Sequence, residues 1–131
     1  MTQSNASYSI LCVCLGNICR SPTGEAALQA ALPEARVDSA GTSDWHMGEP
    51  PYGPMQAAAR ARGYDLSAQR ARQVSARDFH RFDLILAMDS SNLENLQALR
   101  PADATAKLSL YLSPLDDAPR DVPDPYYTRD F

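Results

Sequence analysis

Five residues, Leu15-Gly16-Asn17-Ile18-Cys19, separate Cys14 from Arg20, and Ser21-Pro22 follows directly. These residue types suit one kind of chemistry. An arginine fork holds two oxygens of a phosphate-like anion at once, which a lysine cannot do. A cysteine facing the same centre, among N–H donors and beside that guanidinium, is favoured as the thiolate, because the field that binds the anion also stabilises S⁻. Such a sulfur is a nucleophile aimed at whatever the arginine holds. Ser21 can add a hydroxyl hydrogen bond to it. Gly16 and Asn17 are the residues that most readily take φ > 0, which a loop needs if its amides are all to turn inward. Asn17 is expected to hold the loop through its side chain, and Ile18 to add an apolar wall.

The flanking elements would position this loop. Ile10-Leu11-Cys12-Val13 is apolar and partly β-branched, the pattern of a buried strand, and the reading extends it over about Tyr8 to Val13. Ser21-Pro22-Thr23-Gly24-Glu25 offers a capping residue, a proline suited to the first helical position and an early acid. Strand, loop and helix in that order direct backbone N–H groups and the positive end of the helix at one spot, so an anion is the expected occupant of a cradle lined by Leu15, Gly16, Asn17, Ile18, Cys19 and Ser21.

The 131 residues are enough for one domain with a real core, and 44% hydrophobic and 21% charged residues is an ordinary globular balance. A formal charge of -4 argues against nucleic acid as the main partner. No run is long and apolar enough to span a membrane, and Met1-Thr2-Gln3-Ser4-Asn5 is not a signal peptide. The 3 cysteines crowd between positions 12 and 19, which is no disulfide framework, and they suggest a reducing, cytoplasmic setting. Cys12 is expected to be a buried apolar residue. The 2 histidines, His46 and His80, lack ligand spacing, so neither metal nor cofactor is expected.

Along the chain, a helix is expected from Ser21 to about Leu32, with Ala26, Ala27, Leu28, Ala31 and Leu32 toward a sheet, stopped by Pro33. A strand over about Arg36 to Ser39 leads into Ala40-Gly41-Thr42, and Ser43 to Gly53 reads as a loop at the mouth of the site. Pro54 starts a helix closed by Gly63, whose Arg60 and Arg62 read as a solvated face. Ser75 is expected to cap a short helix to about Phe82, Asp83 to Met88 to be a buried strand, and Asp89 to cap a helix to about Leu99, with contact to Arg20 a lesser expectation. Lys107 to Leu112 is a fourth strand. Alternating strands and helices give an α/β fold: a single three-layer domain with a four-stranded parallel sheet and helices on both faces. Ligands bind such sheets at the carboxyl ends of the strands near the switch point, where the Cys14 loop emerges.

Cys14-Leu15-Gly16-Asn17-Ile18-Cys19-Arg20-Ser21-Pro22, with Ser39-Ala40-Gly41-Thr42, Ala71-Arg72-Gln73, Met88-Asp89 and Asp124-Pro125-Tyr126-Tyr127, resembles the low-molecular-weight protein tyrosine phosphatases over nearly the whole chain. The resemblance implies hydrolysis of phosphotyrosine through a cysteinyl-phosphate, with Cys14 as nucleophile and Arg20 as phosphate clamp. A tyrosyl leaving oxygen has a pKa of about 10, and protonating it is worth roughly 10²–10⁴ in rate. Asp124 matches the family's general acid residue by residue, and Asp121 is the nearest rival. Trp45, Tyr126 and Tyr127 are flat groups able to hold a phenol ring, and the resemblance supports Trp45 as a wall. Where much of the family has a histidine that helps hold the loop, this sequence has Gln69, which keeps a hydrogen bond but not a charge.

Phosphotyrosine proteins are the expected partners, a tyrosine kinase is a candidate partner, and a monomer or weak dimer is the expected state. Thioredoxin-coupled arsenate reductases share the fold but need late cysteines, and none follows Cys19. A protein-arginine phosphatase is the nearer alternative; it tends to carry threonine where this loop has Ile18. A catalytically silent phosphotyrosine-binding module is the alternative from another class, opposed by the presence of both Cys14 and Asp124. Neither Gly-Lys-Ser/Thr nor Gly-x-Gly-x-x-Gly occurs, which opposes nucleotide binding. The family continues past the position of Phe131, usually with a helix over the sheet, so that helix is expected to be absent from this chain. Cys19 is expected to serve redox regulation by trapping oxidised Cys14 as a disulfide, with Cys12 as the rival thiol and simple packing beneath the loop as the plainer role.

Overall fold

In the computed structural model the described residues are 8–17, 20–43 and 47–111. The apolar run Ser9–Cys14 forms strand β1, and all of its residues are buried, as expected of a central parallel strand covered on both faces. It pairs in parallel with Arg36–Gly41 (β2), setting Cys12 opposite Ser39 and Cys14 opposite Gly41. On its other side it pairs with Leu84–Ala87 (β3), with Val13 opposite Ala87, and β3 pairs with Lys107–Leu110 (β4). The order is β2-β1-β3-β4, so the chain builds outward to β2 and then crosses back over β1 to lay down β3. The direction of winding reverses between β1 and β3, and Cys14 ends β1 at that crevice.

Helices cover both faces. On one, Leu11, Val13, Ala40, Ile85 and Ala87 pack with Phe79 of helix α3 (Asp78–Arg81), the adjoining Phe82 and Leu96 of helix α4 (Ser90–Leu99). On the other, Ile10, Cys12, Cys14, Val37, Leu86 and Met88 lie under helix α1 (Arg20–Ala31), which contributes Leu28. Helix α2 (Gly53–Ala61) adds Met55 and Ala59 to a smaller cluster with Leu66 and Ala71, against which Ala26 of α1 packs. A Cβ on Gly24 would stand 2.7 Å from the Met88 side chain, so α1 makes its close approach in its first turns. Ala31 and Leu32, expected on the sheet side, are exposed because that approach lies near the other end of the helix.

The edge of β2 is blocked against further pairing. Gln29 Oε1 receives the Val37 N–H, Asp38 Oδ1 receives that of Ser39, and Gly41 bonds to the Arg72 carbonyl and the Val74 N–H. Further departures from expectation concern boundaries. Helix α1 starts at Arg20, one residue early, and α3 starts at Asp78 rather than after a Ser75 cap. There the Asp78 carboxylate receives the Ser75 N–H at 2.9 Å while the Asp78 N–H bonds to the Ser75 carbonyl, so an aspartate-closed turn precedes the helix. Strand β4 was expected to reach Leu112, which lies outside the described residues. Among the described residues, no helix is long and apolar enough to cross a membrane.

Candidate active site

The loop leaving β1 folds back over its own sulfur. The Asn17 N–H points at Cys14 Sγ over 3.2 Å, and Ser21 Oγ lies 3.0 Å from the same atom. Of the two residues expected to take positive φ, Asn17 does so, at 59°. Asparagine tolerates that left-handed conformation, and here its buried side chain is tied on all sides. Oδ1 accepts the Arg72 N–H at 3.2 Å, while Nδ2 donates to Ser21 Oγ at 2.9 Å and to Ser39 Oγ at 3.0 Å. Ser21 was expected to cap α1, but its hydroxyl lies in the sulfur network, with Ala40 O a further 3.3 Å contact.

The end of β2 pins the loop from below. The Thr42 N–H donates to Cys14 O, and the Ser43 N–H and hydroxyl both donate to Leu15 O. A Cβ on Gly41 would sit 2.7 Å from Leu15 O and 3.0 Å from the Gly16 carbonyl carbon, so only glycine permits this approach. Arg72, whose backbone holds Asn17 and Gly41, is itself anchored: its guanidinium bonds both oxygens of the fully buried Asp78 at 3.1 and 3.2 Å.

Arg20 is buried beside the loop and donates from Nη1 to Asp89 Oδ2 at 2.7 Å. Asp89 also caps α4, accepting the Asn92 N–H, so both sequence expectations for it hold at once. Gln69 keeps a hydrogen bond here: Nε2 donates to Pro22 O in the first turn of α1 at 3.1 Å, while the Arg72 N–H holds the Asn17 carbonyl oxygen. Gln69 Oε1 is buried with no hydrogen-bond partner among the described residues. Cys12 is fully buried as expected, and burial, followed by the nearby Glu25 carboxylate, pushes its thiol up. A cavity of about 370 Å³ opens beside Leu15, bordered by Thr42 and Ser43 and by Asn95 and Leu99 of α4.

The structure thus gathers Cys14, Leu15, Gly16, Asn17, Arg20 and Ser21 at the carboxyl end of β1. Ile18, Cys19, Trp45, His46, Asp121, Asp124, Tyr126 and Tyr127 lie outside the described residues. Sequence reasoning gave Ser39 and Glu25 no part in the site. Ser39 Oγ receives the Asn17 amide and donates to Glu25 Oε1 at 2.7 Å, extending the network into α1. Neither had a signal in the sequence: Ser39 comes beside Cys12 only through the register of β2 on β1, on the face that α1 covers.

This arrangement suits a phosphate-like anion seated on a sulfur, and comparison with known proteins agrees. The family model described as low molecular weight phosphotyrosine protein phosphatase matches residues 9–130. The low molecular weight protein-tyrosine-phosphatase YfkJ of Bacillus subtilis is 41% identical over 130 residues, covering 94% of this chain and 83% of that protein. Its crystal structure superposes with a TM-score of 0.89 at 40% identity, over 98% of this chain and 86% of that one. Vibrio vulnificus Wzb, solved in complex with benzylphosphonate, gives a TM-score of 0.82 at 34% identity over 91% and 82%. With the match running nearly end to end, this chain belongs to the low molecular weight phosphotyrosine protein phosphatase family.

Proposed function

We propose that this chain, read as one phosphatase domain over residues 1–131, hydrolyses phosphotyrosine in proteins by way of a cysteinyl-phosphate. The observation that carries the reading is the Cys14 sulfur, which receives the Asn17 N–H and lies 3.0 Å from Ser21 Oγ at the start of α1. In the first step the Cys14 thiolate attacks phosphorus, an S–P bond forms, the P–O bond to the tyrosyl oxygen breaks, and Asp124 gives that oxygen its proton. In the second, Asp124 takes a proton from water, the water oxygen attacks phosphorus, the S–P bond breaks, and inorganic phosphate leaves. Arg20 and the amides of the 15–19 loop hold the equatorial oxygens through both steps, where developing charge makes each donor count most. Trp45, Tyr126 and Tyr127 form the walls for the ring together with Ile18. The benzylphosphonate held by Vibrio vulnificus Wzb supports an aromatic occupant. The reaction that supplies the substrate is a tyrosine-directed phosphoryl transfer, so a tyrosine kinase is the matching activity.

Turnover of phosphotyrosine, phosphoserine and phosphoarginine peptides by the purified chain tests the proposal. Phosphotyrosine is expected to be preferred, and Cys14→Ser is expected to bind phosphate without turnover. Preference for phosphoarginine would reassign the substrate, binding without any turnover would make the chain a phosphotyrosine-binding module, and appreciable activity in Cys14→Ser would overturn the mechanism. Asp124→Asn should slow poor leaving groups by about 10²-fold or more relative to good ones. Equal losses would move the acid role elsewhere, with Asp121 next to test.

A further inference from the structure

We propose that Glu25 is a positioning residue that anchors, through Ser39 and Asn17, the hydrogen bonds reaching the Cys14 sulfur. The inference rests on the reading of Cys14 as the nucleophile. It follows from counting donors. The Arg72 backbone N–H can only donate, so the Asn17 side-chain atom facing it at 3.2 Å is the carbonyl oxygen, and the amide orientation is fixed. The NH₂ group then spends its hydrogens on two hydroxyl oxygens, Ser21 Oγ and Ser39 Oγ. Both hydroxyls are acceptors toward Asn17 and must send their own hydrogens elsewhere. For Ser39 the acceptor is Glu25 Oε1 at 2.7 Å, and for Ser21 the nearest is Cys14 Sγ at 3.0 Å, with Ala40 O at 3.3 Å.

The chain therefore runs from the sulfur through Ser21, Asn17 and Ser39 to the Glu25 carboxyl, with its polarity set by the Arg72 N–H on Asn17 and its far end anchored at Glu25. Ser39, Ser21 and Asn17 are all buried, so a hydrogen bond lost among them is costly to leave unmade. Without Glu25 the Ser39 hydrogen loses its acceptor, the hydroxyl re-orients, and its hold on the Asn17 amide slackens. Asn17 is the left-handed residue whose N–H faces the sulfur, so the slack arrives where the nucleophile is held. Polarised chains of this kind act as units rather than as separate pairs.

On balance the groups around Glu25 disfavour its charged form. Burial raises its pKa first and Asp38 of β2 adds to this, while the Ser39 hydrogen bond and Arg72 work the other way; from β1, Cys12 also feels its charge. What the position must supply is an acceptor oxygen for the Ser39 hydroxyl.

The test measures alkylation of Cys14 by iodoacetamide at mildly acidic pH, followed on the Cys14 peptide by mass spectrometry, beside kcat on para-nitrophenyl phosphate. Glu25→Ala is expected to slow alkylation by about three- to tenfold and to lower kcat in proportion. Glu25→Gln keeps an acceptor oxygen for Ser39 and should stay within about twofold of the parent chain. Ser39→Ala should reproduce the Glu25→Ala loss, and combining the two should add nothing further. Unchanged Cys14 reactivity in Glu25→Ala overturns the proposal, as does a Glu25→Gln loss equal to that of alanine, or a Glu25→Ala effect that persists in full on Ser39→Ala. Turnover by Cys14→Ser would instead sink the phosphatase mechanism, and the alkylation result would stand apart from it.

Discussion

Arg20 Nη1 and Asp89 Oδ2 lie 2.7 Å apart, and the other oxygen of the same carboxylate receives the Asn92 N–H at 2.8 Å. One aspartate thus joins the guanidinium of the loop to the first turn of α4, with the arginine side chain only 4% exposed. The fork is oriented before an anion arrives, which lowers the ordering that binding must supply.

Arg20→Lys should lose about 10²-fold or more in kcat/KM, since a point charge cannot rebuild paired hydrogen bonds. Asp89→Asn separates the two duties of the carboxylate. Asparagine is as good a cap, so the melting temperature should barely move, while loss of the charged partner should lower kcat/KM by about tenfold. Unchanged kinetics in Asp89→Asn would show that the ion pair does not orient Arg20.

Gly41→Ala should damage the loop more than the fold. The new methyl meets Leu15 O at 2.7 Å, and Gly41 cannot withdraw because it is bonded to Arg72, Val74 and the β1 ladder. A stability loss of about 1–3 kcal/mol is expected, together with a larger fractional loss of phosphate affinity, read as the inhibition constant of inorganic phosphate. Turnover within about twofold of the parent chain would mean that the loop accommodates the methyl and is not pinned there.

Much of this site was legible because its signals are local. The apolar run before Cys14 and the helix signals after Arg20 needed no long-range information, and alternation of strands with helices then pointed to a parallel sheet. The Ser39–Glu25 arm was not legible, since Ser39 reaches Asn17 only through the register of β2 on β1, a tertiary fact. For Gln69 the residue type announced a hydrogen bond, but which atom would receive it, the Pro22 carbonyl, came from tertiary position. Ser75 looked like a cap because of its residue type, while the buried Asp78 carboxylate decided the turn.

Glu25 also gives a pH prediction whose sign can be fixed. Its carboxyl is raised by burial above the ordinary glutamate range, so the folded state holds that proton more tightly than the unfolded chain does. Below the ordinary range the group is neutral in both states and costs nothing. As pH rises through that range and on through the folded value, the penalty of the buried anion develops and stability falls. Glu25→Gln should therefore be more stable than the parent chain at neutral pH, with the advantage vanishing in acid. Denaturant midpoints at both pH values check this, and an advantage that survives in acid would trace to packing rather than charge.

The last prediction concerns oxidation. Peroxide is expected to convert the Cys14 thiolate to a sulfenic acid, and a second thiol then attacks that sulfur, forming S–S and releasing water. Two partners were open from the sequence, and the structure weakens one. Cys12 sits two residues back in β1, fully buried, with its thiol pushed up by burial, so little thiolate is present to attack. Its backbone is also held on both sides, opposite Ser39 and Leu86, which resists the bend that a bridge within one strand would demand. That leaves Cys19 as the expected resolving thiol. The parent chain and Cys12→Ala should both regain activity on adding a thiol reductant after peroxide, whereas Cys19→Ser should not. Mass spectrometry of the oxidised protein decides the matter: a Cys14–Cys19 bridge supports the assignment, a Cys12–Cys14 bridge transfers it, and recovery no better in the parent chain than in Cys19→Ser ends it.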